Sequence, residues 1–199
     1  MATRTQRNSI PLRKITDFKS KLAGGGARNN LFEVELAFPS GLAIADRNEV
    51  LQKSRFLVKA AALPSSTISP VDVPFRGRIL KVAGDRTFET WTVTVINDTD
   101  FAIRSACEKW MNSINKMDDA TGFSTPEQYQ SDAYVYQLDR DGGILRSYHF
   151  YDIWPTTVST IDLNYESTDQ IQEFTVEFQV QWWEAMKGTS PKAGGENIN

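Results

Sequence analysis

From Ile171 to Trp183 the chain sets Phe174, Val176, Phe178, Val180 and Trp182 at every second position, with Thr175, Glu177, Gln179 and Gln181 between them. Successive side chains of a strand point to opposite faces, so this run reads as a half-buried strand that needs a sheet around it. The same period recurs at Leu31–Phe38, where Phe32, Val34, Leu36 and Phe38 alternate with Glu33, Glu35 and Ala37. Trp91–Ile96 (WTVTVI) alternates aromatic and β-branched residues with threonine. Further strands are expected at Arg55–Leu63, Thr67–Phe75, Arg78–Val82, Tyr134–Leu138, Ile144–Tyr151 and Val158–Tyr165. Pro70 and Pro74 confine the Thr67–Phe75 strand to an edge or a bulge.

Turn and helix signals punctuate these runs. Leu63–Ser66 ends one strand, Ala83–Arg86 is expected to turn, and Asp139–Gly143 reads as a hairpin turn because glycine tolerates positive φ. One strong helix is expected after Asn97 and Asp98, both good N-caps, with Asp100 at the positive end of its dipole. Its apolar stripe is Ile103, Cys107, Trp110, Ile114 and Met117. A short helix can open at Ile15 and end before Gly24–Gly26. Residues 39–53 read as a loop with at most one helical turn, and the tail from Lys187 as disordered. The predicted architecture is a mainly β, antiparallel sandwich or barrel with one flanking α-helix.

A chain of 199 residues can bury one core or two small ones. No apolar run approaches the roughly 20 residues of a membrane helix, so no span is expected. Charge is uneven: residues 1–30 hold Arg4, Arg7, Arg13, Lys14, Lys19, Lys21 and Arg28 against Asp17, whereas residues 118–184 are strongly acidic. The basic arm suits nucleic acid, an acidic neighbouring copy, or simply a solvated leader.

Chemistry is sparse. The single cysteine, Cys107, lies on the helix stripe and reads as a core residue. The single histidine, His149, stands among Tyr148, Phe150 and Tyr151, where packing or a hydrogen bond is the expected role. Glu33 and Glu35 share a strand face, the plain reading being a wet face rather than a glycosidase pair. Asp139 and Asp141 suit the hairpin turn better than calcium, and no glycine cluster forms a phosphate loop. The five tryptophans lack surrounding Lys and Arg, which favours core and subunit packing over base stacking. No enzyme activity, cofactor or metal is expected.

Val82-Ala83-Gly84-Asp85-Arg86-Thr87-Phe88, followed by Trp91-Thr92-Val93-Thr94-Val95-Ile96-Asn97-Asp98, closely resembles the tail tube family of contractile-tailed bacteriophages. So do Asn30–Glu35, Ala61–Pro64, Trp154–Val158, Gln170–Val176 and Trp183-Glu184, in collinear order. The resemblance implies a β-barrel-like domain over 28–184, with a basic flexible arm at 1–27 and a flexible tail at 185–199. It further implies hexameric rings stacked into a tube, wrapped by sheath and started on a baseplate initiator. Tape-measure protein would fill the lumen, and DNA would pass through on ejection. The expected location is the virion tail, and the host cytoplasm during assembly.

Within that frame, the inter-ring contact candidates are Leu63, Pro64, Ser65, Gly84, Asp85 and Arg86, as tips of turns. The lumen candidates are Thr175, Glu177, Gln179 and Gln181, with Glu33 and Glu35 as the second option. A tube-initiator paralogue, an injection-system tube subunit, or a small ligand- or nucleic-acid-binding barrel are the alternatives.

Overall fold

The computed structural model describes residues 13–22, 25–44 and 46–198. Residues 1–12, 23 and 24 of the expected basic arm (1–27) lie outside the described residues. The chain order is α1 (Ile15–Lys21), β1 (Phe32–Leu36), α2 (Arg47–Leu57), β2 (Val58–Ala61), β3 (Ser66–Phe75), β4 (Arg78–Phe88) and β5 (Trp91–Ile96). There follow α3 (Ala102–Ile114), α4 (Pro126–Tyr129), β6 (Ser131–Leu138), β7 (Ile144–Val158), β8 (Glu173–Gln179) and β9 (Trp182–Lys187).

The fold is mainly β and antiparallel, as expected. Its organising element is β7, whose first part pairs with β6 and β9 and whose last part pairs with β8. Asp152, with φ of 54°, sits where β7 changes partners. A residue in the left-handed region inside a strand bends it, and here it lets one strand serve two sheets. One sheet is β1-β6-β7-β9; the other is β7-β8-β5-β2.

The core lies between them. Val34 and Leu36 of β1, Trp91, Val93 and Val95 of β5, and Phe174, Val176 and Phe178 of β8 are buried, as their alternation predicts. Trp91 stacks on Phe150 at 4.3 Å between ring centroids. α3 adds Ile103, Ala106, Cys107 and Trp110 to this core. Trp110 meets Phe38 edge-on at 5.6 Å and donates its indole N–H to the carbonyl of Tyr129 at 2.6 Å.

Several expectations are corrected. Residues 39–53 are no simple loop, because α2 begins at Arg47, and its last three residues replace the start of the strand expected from Arg55. α2 closes the free edge of β1: Ser54 hydrogen-bonds the backbone of Leu36, and Arg47 donates to the carbonyls of Phe38, Ser40 and Leu42.

α3 starts at Ala102, so Asn97 and Asp98 do not cap it. Phe101 holds the cap position at φ 55°, and Asp100 accepts the Ala102 N–H at 3.1 Å. Asn97 instead ties to Gln172, and Asp98 pairs with Lys53 at 3.0 Å. Met117 falls beyond the helix and is 89% exposed.

The strand expected at Val158–Tyr165 is absent, since β7 ends at Val158 and an exposed loop follows. The final strand is two, β8 and β9, interrupted at Val180–Gln181.

The flexible tail expected from residue 185 instead begins inside β9. Ile198 exchanges backbone hydrogen bonds with Ala185 at 2.7 and 3.0 Å, and buried Ser190 donates to Asp139 at 2.8 Å.

Candidate assembly surface

The ribbon of β3 and β4 projects from the body without packing substantially on any other element. Arg76 and Gly77 connect its strands, both at positive φ (47° and 81°). Two such residues suit the right-handed twist of a tight hairpin. Directly opposed residues share a face, so Val71/Val82, Val73/Leu80 and Phe75/Arg78 line one side. Pro70/Ala83, Asp72/Lys81 and Pro74/Ile79 line the other, with Lys81 and Asp72 paired at 3.0 Å. The apolar side chains are solvated in the single chain, from Val73 at 42% exposure to Phe75 at 66%. Contiguous exposed apolar side chains are the usual sign of an interaction surface.

The edges of the ribbon differ. Proline has no N–H, so the Pro70–Ala83 and Pro74–Ile79 pairs are non-hydrogen-bonded ones whose polar groups face outward. The outer edge of β3 therefore lacks donors at both prolines, whereas β4 keeps the outward N–H groups of Ile79, Lys81 and Ala83. Prolines blunt one edge of the ribbon and leave the other able to pair.

The turn expected at Ala83–Arg86 is corrected: Gly84, Asp85 and Arg86 lie within β4. The register shifts between Ile68 and Pro70, so Gly84 and Asp85 together oppose Ser69, a bulge. A Cβ on Gly84 would stand 2.7 Å from the Ser69 carbonyl oxygen, which explains the glycine. Leu63, Pro64 and Ser65 stand at the root of the ribbon. Trp183 donates its indole N–H to the Ser65 carbonyl at 3.4 Å and meets Phe88 edge-on at 6.5 Å. Trp91 likewise donates to the Ala62 carbonyl at 2.8 Å. Two of the five tryptophans thus hold the ribbon to the core, a role with no signal in the sequence.

The polar-face candidates separate onto two sheets. Thr175, Glu177 and Gln179 share the outer face of β8, joined by Thr92 and Thr94 of β5. Gln181 is not with them, since it lies between β8 and β9 and donates its N–H to the Tyr151 carbonyl. Glu33 and Glu35 occupy the outer face of the other sheet, opposite Tyr136 and Tyr134. Arg55 of α2 reaches both, 3.3 Å from Glu33 and 2.5 Å from Glu35.

His149 lies on that sheet, 9% exposed, stacked on Tyr134 at 4.2 Å and bonded to Asp132 at 2.9 Å. This is the packing and hydrogen-bonding role expected of it. Burial pushes the Cys107 thiol up to about 12, which makes it a core residue rather than a nucleophile. Lys53 and a backbone N–H hold Asp100 down at about 2.

The comparisons with known proteins agree with this anatomy. A family model described as "Phage tail tube protein" matches residues 27–186. The tail tube protein gp19 of Enterobacteria phage T4 is 34% identical over 164 residues, covering 81% of this chain and 93% of the relative. Among solved structures, a chain of the anti-feeding prophage baseplate superimposes with a TM-score of 0.59 at 11% identity, covering 81% of this chain and 96% of that one. A chain of the PVC sheath/tube terminator, from an extracellular contractile injection system in the extended state, gives 0.58 at 10% identity, with the same coverage. At such identities the structures bear on the fold alone. The curated relatives are structural tail tube proteins and not enzymes. By its sequence over four-fifths of its length, this chain belongs to the phage tail tube protein family.

Proposed function

We propose that this chain is the repeating subunit of a contractile phage's tail tube, assembling as hexameric rings that stack into a hollow tube in the virion tail. The observation that carries this reading is the β3–β4 ribbon, an exposed apolar projection that packs substantially on no other element among the described residues. Heterologous contacts whose rotation does not close build filaments. In this reading the ribbon, with Leu63, Pro64 and Ser65 at its root and Gly84, Asp85 and Arg86 at its bulge, makes the ring-to-ring contact. The outer edge of β4 is the strand a neighbouring copy would extend. Sheath surrounds the tube, a baseplate initiator starts it, tape-measure protein occupies the lumen, and DNA passes through on ejection. The Thr175, Glu177 and Gln179 face lines the channel, where the nearby Lys59 is held by Glu173 and little free positive charge is left to bind phosphate.

The test replaces Val73 with Glu and Leu80 with Lys together. These residues oppose each other, so the new charges pair across the ribbon and preserve it while its apolar face is lost. Negative-stain microscopy should show tubes for the parent protein and none for the double variant, with circular dichroism unchanged. Normal tubes from the variant would place the stacking contact elsewhere.

A further inference from the structure

A cleft of about 380 Å³ opens at the start of β7, floored by Leu31, Leu63, Leu138 and Leu145. Its rim carries Arg28, Arg140, Arg146 and Lys192 against one acid, Asp139. Lys192 is already paired with Asp139 and Asp141. The three arginines pair with no carboxylate among the described residues, and the Nε of Arg146 is buried without a hydrogen-bond partner. A buried cationic donor left unsatisfied is costly, so the cleft is built for an anionic group beside an apolar one.

At the other end of β7 the chain offers that combination. No Lys or Arg occurs between Arg146 and Lys187. Within this stretch, the loop after Val158 exposes Leu163 at 81% and Tyr165 at 104%, flanked by Asp162 and Glu166. The 15 residues of β7 separate cleft from loop, roughly 45 Å of strand at about 3.3 Å per residue. The cleft and the loop therefore lie at opposite ends of β7 in one copy.

We infer that the 160–172 loop of one copy seats in the β6–β7 cleft of the next, Leu163 and Tyr165 on the leucine floor and Asp162 and Glu166 against the arginine rim. This rests on the tube reading above but names a second contact, distinct from the ribbon. Charge complementarity orients the copies head to tail, and apolar burial supplies the affinity.

The test is a charge swap in the full chain. Asp162→Lys with Glu166→Lys alters only exposed loop residues, and Arg28→Glu with Arg140→Glu alters the rim while leaving Arg146 on Tyr148. Each pair alone should raise the concentration needed for tube formation about tenfold or more, and the four changes together should restore most of it. Unchanged assembly by either pair, or a fourfold variant no better than the worse pair, overturns the contact. Tubes from the parent protein in the same assay report the tube reading separately; if the parent forms none, that reading falls and this contact with it.

Discussion

Ser54 accepts the backbone N–H of Leu36 at 3.3 Å and donates its hydroxyl to the Leu51 carbonyl at 2.7 Å, so a helical side chain does for β1 what a neighbouring strand would do. Ser54 is fully buried. Ser54→Ala leaves the Leu36 N–H without a partner, and an unsatisfied buried donor costs about 1–3 kcal/mol. Urea unfolding should show a loss in that range. A variant as stable as the parent would mean that α2 does not hold the edge.

The ribbon should be separable from the core. Gly84→Val sets a Cβ 2.7 Å from the Ser69 carbonyl oxygen and crowds the Val71 side chain at 2.9 Å. Amide exchange is expected to rise along β3 and β4, while Val93 and Val176 keep their protection because few contacts link ribbon to body. Uniform loosening of both would contradict this independence.

What the sequence made legible follows from burial. β5 and β8 stand out because Trp91, Val93 and Val95, and Phe174, Val176 and Phe178, each have one fully buried face. α2 was hidden because it buries only Val50 and Ser54, too little to write a helical stripe into the sequence. Gly84-Asp85 resembles a turn because bulges and turns draw on the same residues. The alternating Ile161, Leu163 and Tyr165 imitate a strand, yet Leu163 and Tyr165 are among the most exposed apolar side chains in the protein. The family resemblance names the assembly, but the contact residues depend on which faces the fold leaves bare.

Cys107 should be silent. With its thiol pushed up to about 12 by burial, almost no thiolate exists at pH 8, and the side chain has no exposed surface. Native protein should not react with a thiol reagent over hours, and should react fully once urea unfolds it. Rapid native labelling would show that α3 opens readily.

The tail should release in acid. The Ser190 hydroxyl first, then the N–H groups of Asp141 and Gly143 and the Lys192 ammonium, hold Asp139 below the ordinary carboxylate range. Such a group stabilises the fold above its unfolded value, and that contribution is lost as pH falls through the folded one. The Ser190 and Ile198 amides should therefore lose exchange protection below about pH 4, before the core strands do. Asp139→Asn should produce the same release at pH 7. Protection unchanged at pH 3 would show that the backbone pairing of Ile198 with Ala185 suffices alone.

The proposed channel-lining face is the one whose acid, Glu177, has no cation beside it among the described residues. Glu33 and Glu35 share Arg55, which bridges both, so that surface carries a guanidinium that phosphate would meet. Glu177 has no such partner among the described residues, and its neighbours Thr92, Thr175 and Gln179 are uncharged. DNA affinity grows with each Lys or Arg that displaces counterions from phosphate. Thr175→Lys with Glu177→Lys should thus leave fold and tube intact but slow DNA ejection from virions carrying the variant, most at low salt where screening is weakest. Glu33→Gln should leave ejection at the parent rate. If the lysine variant ejects normally while Glu33→Gln slows, the β1 face lines the channel instead.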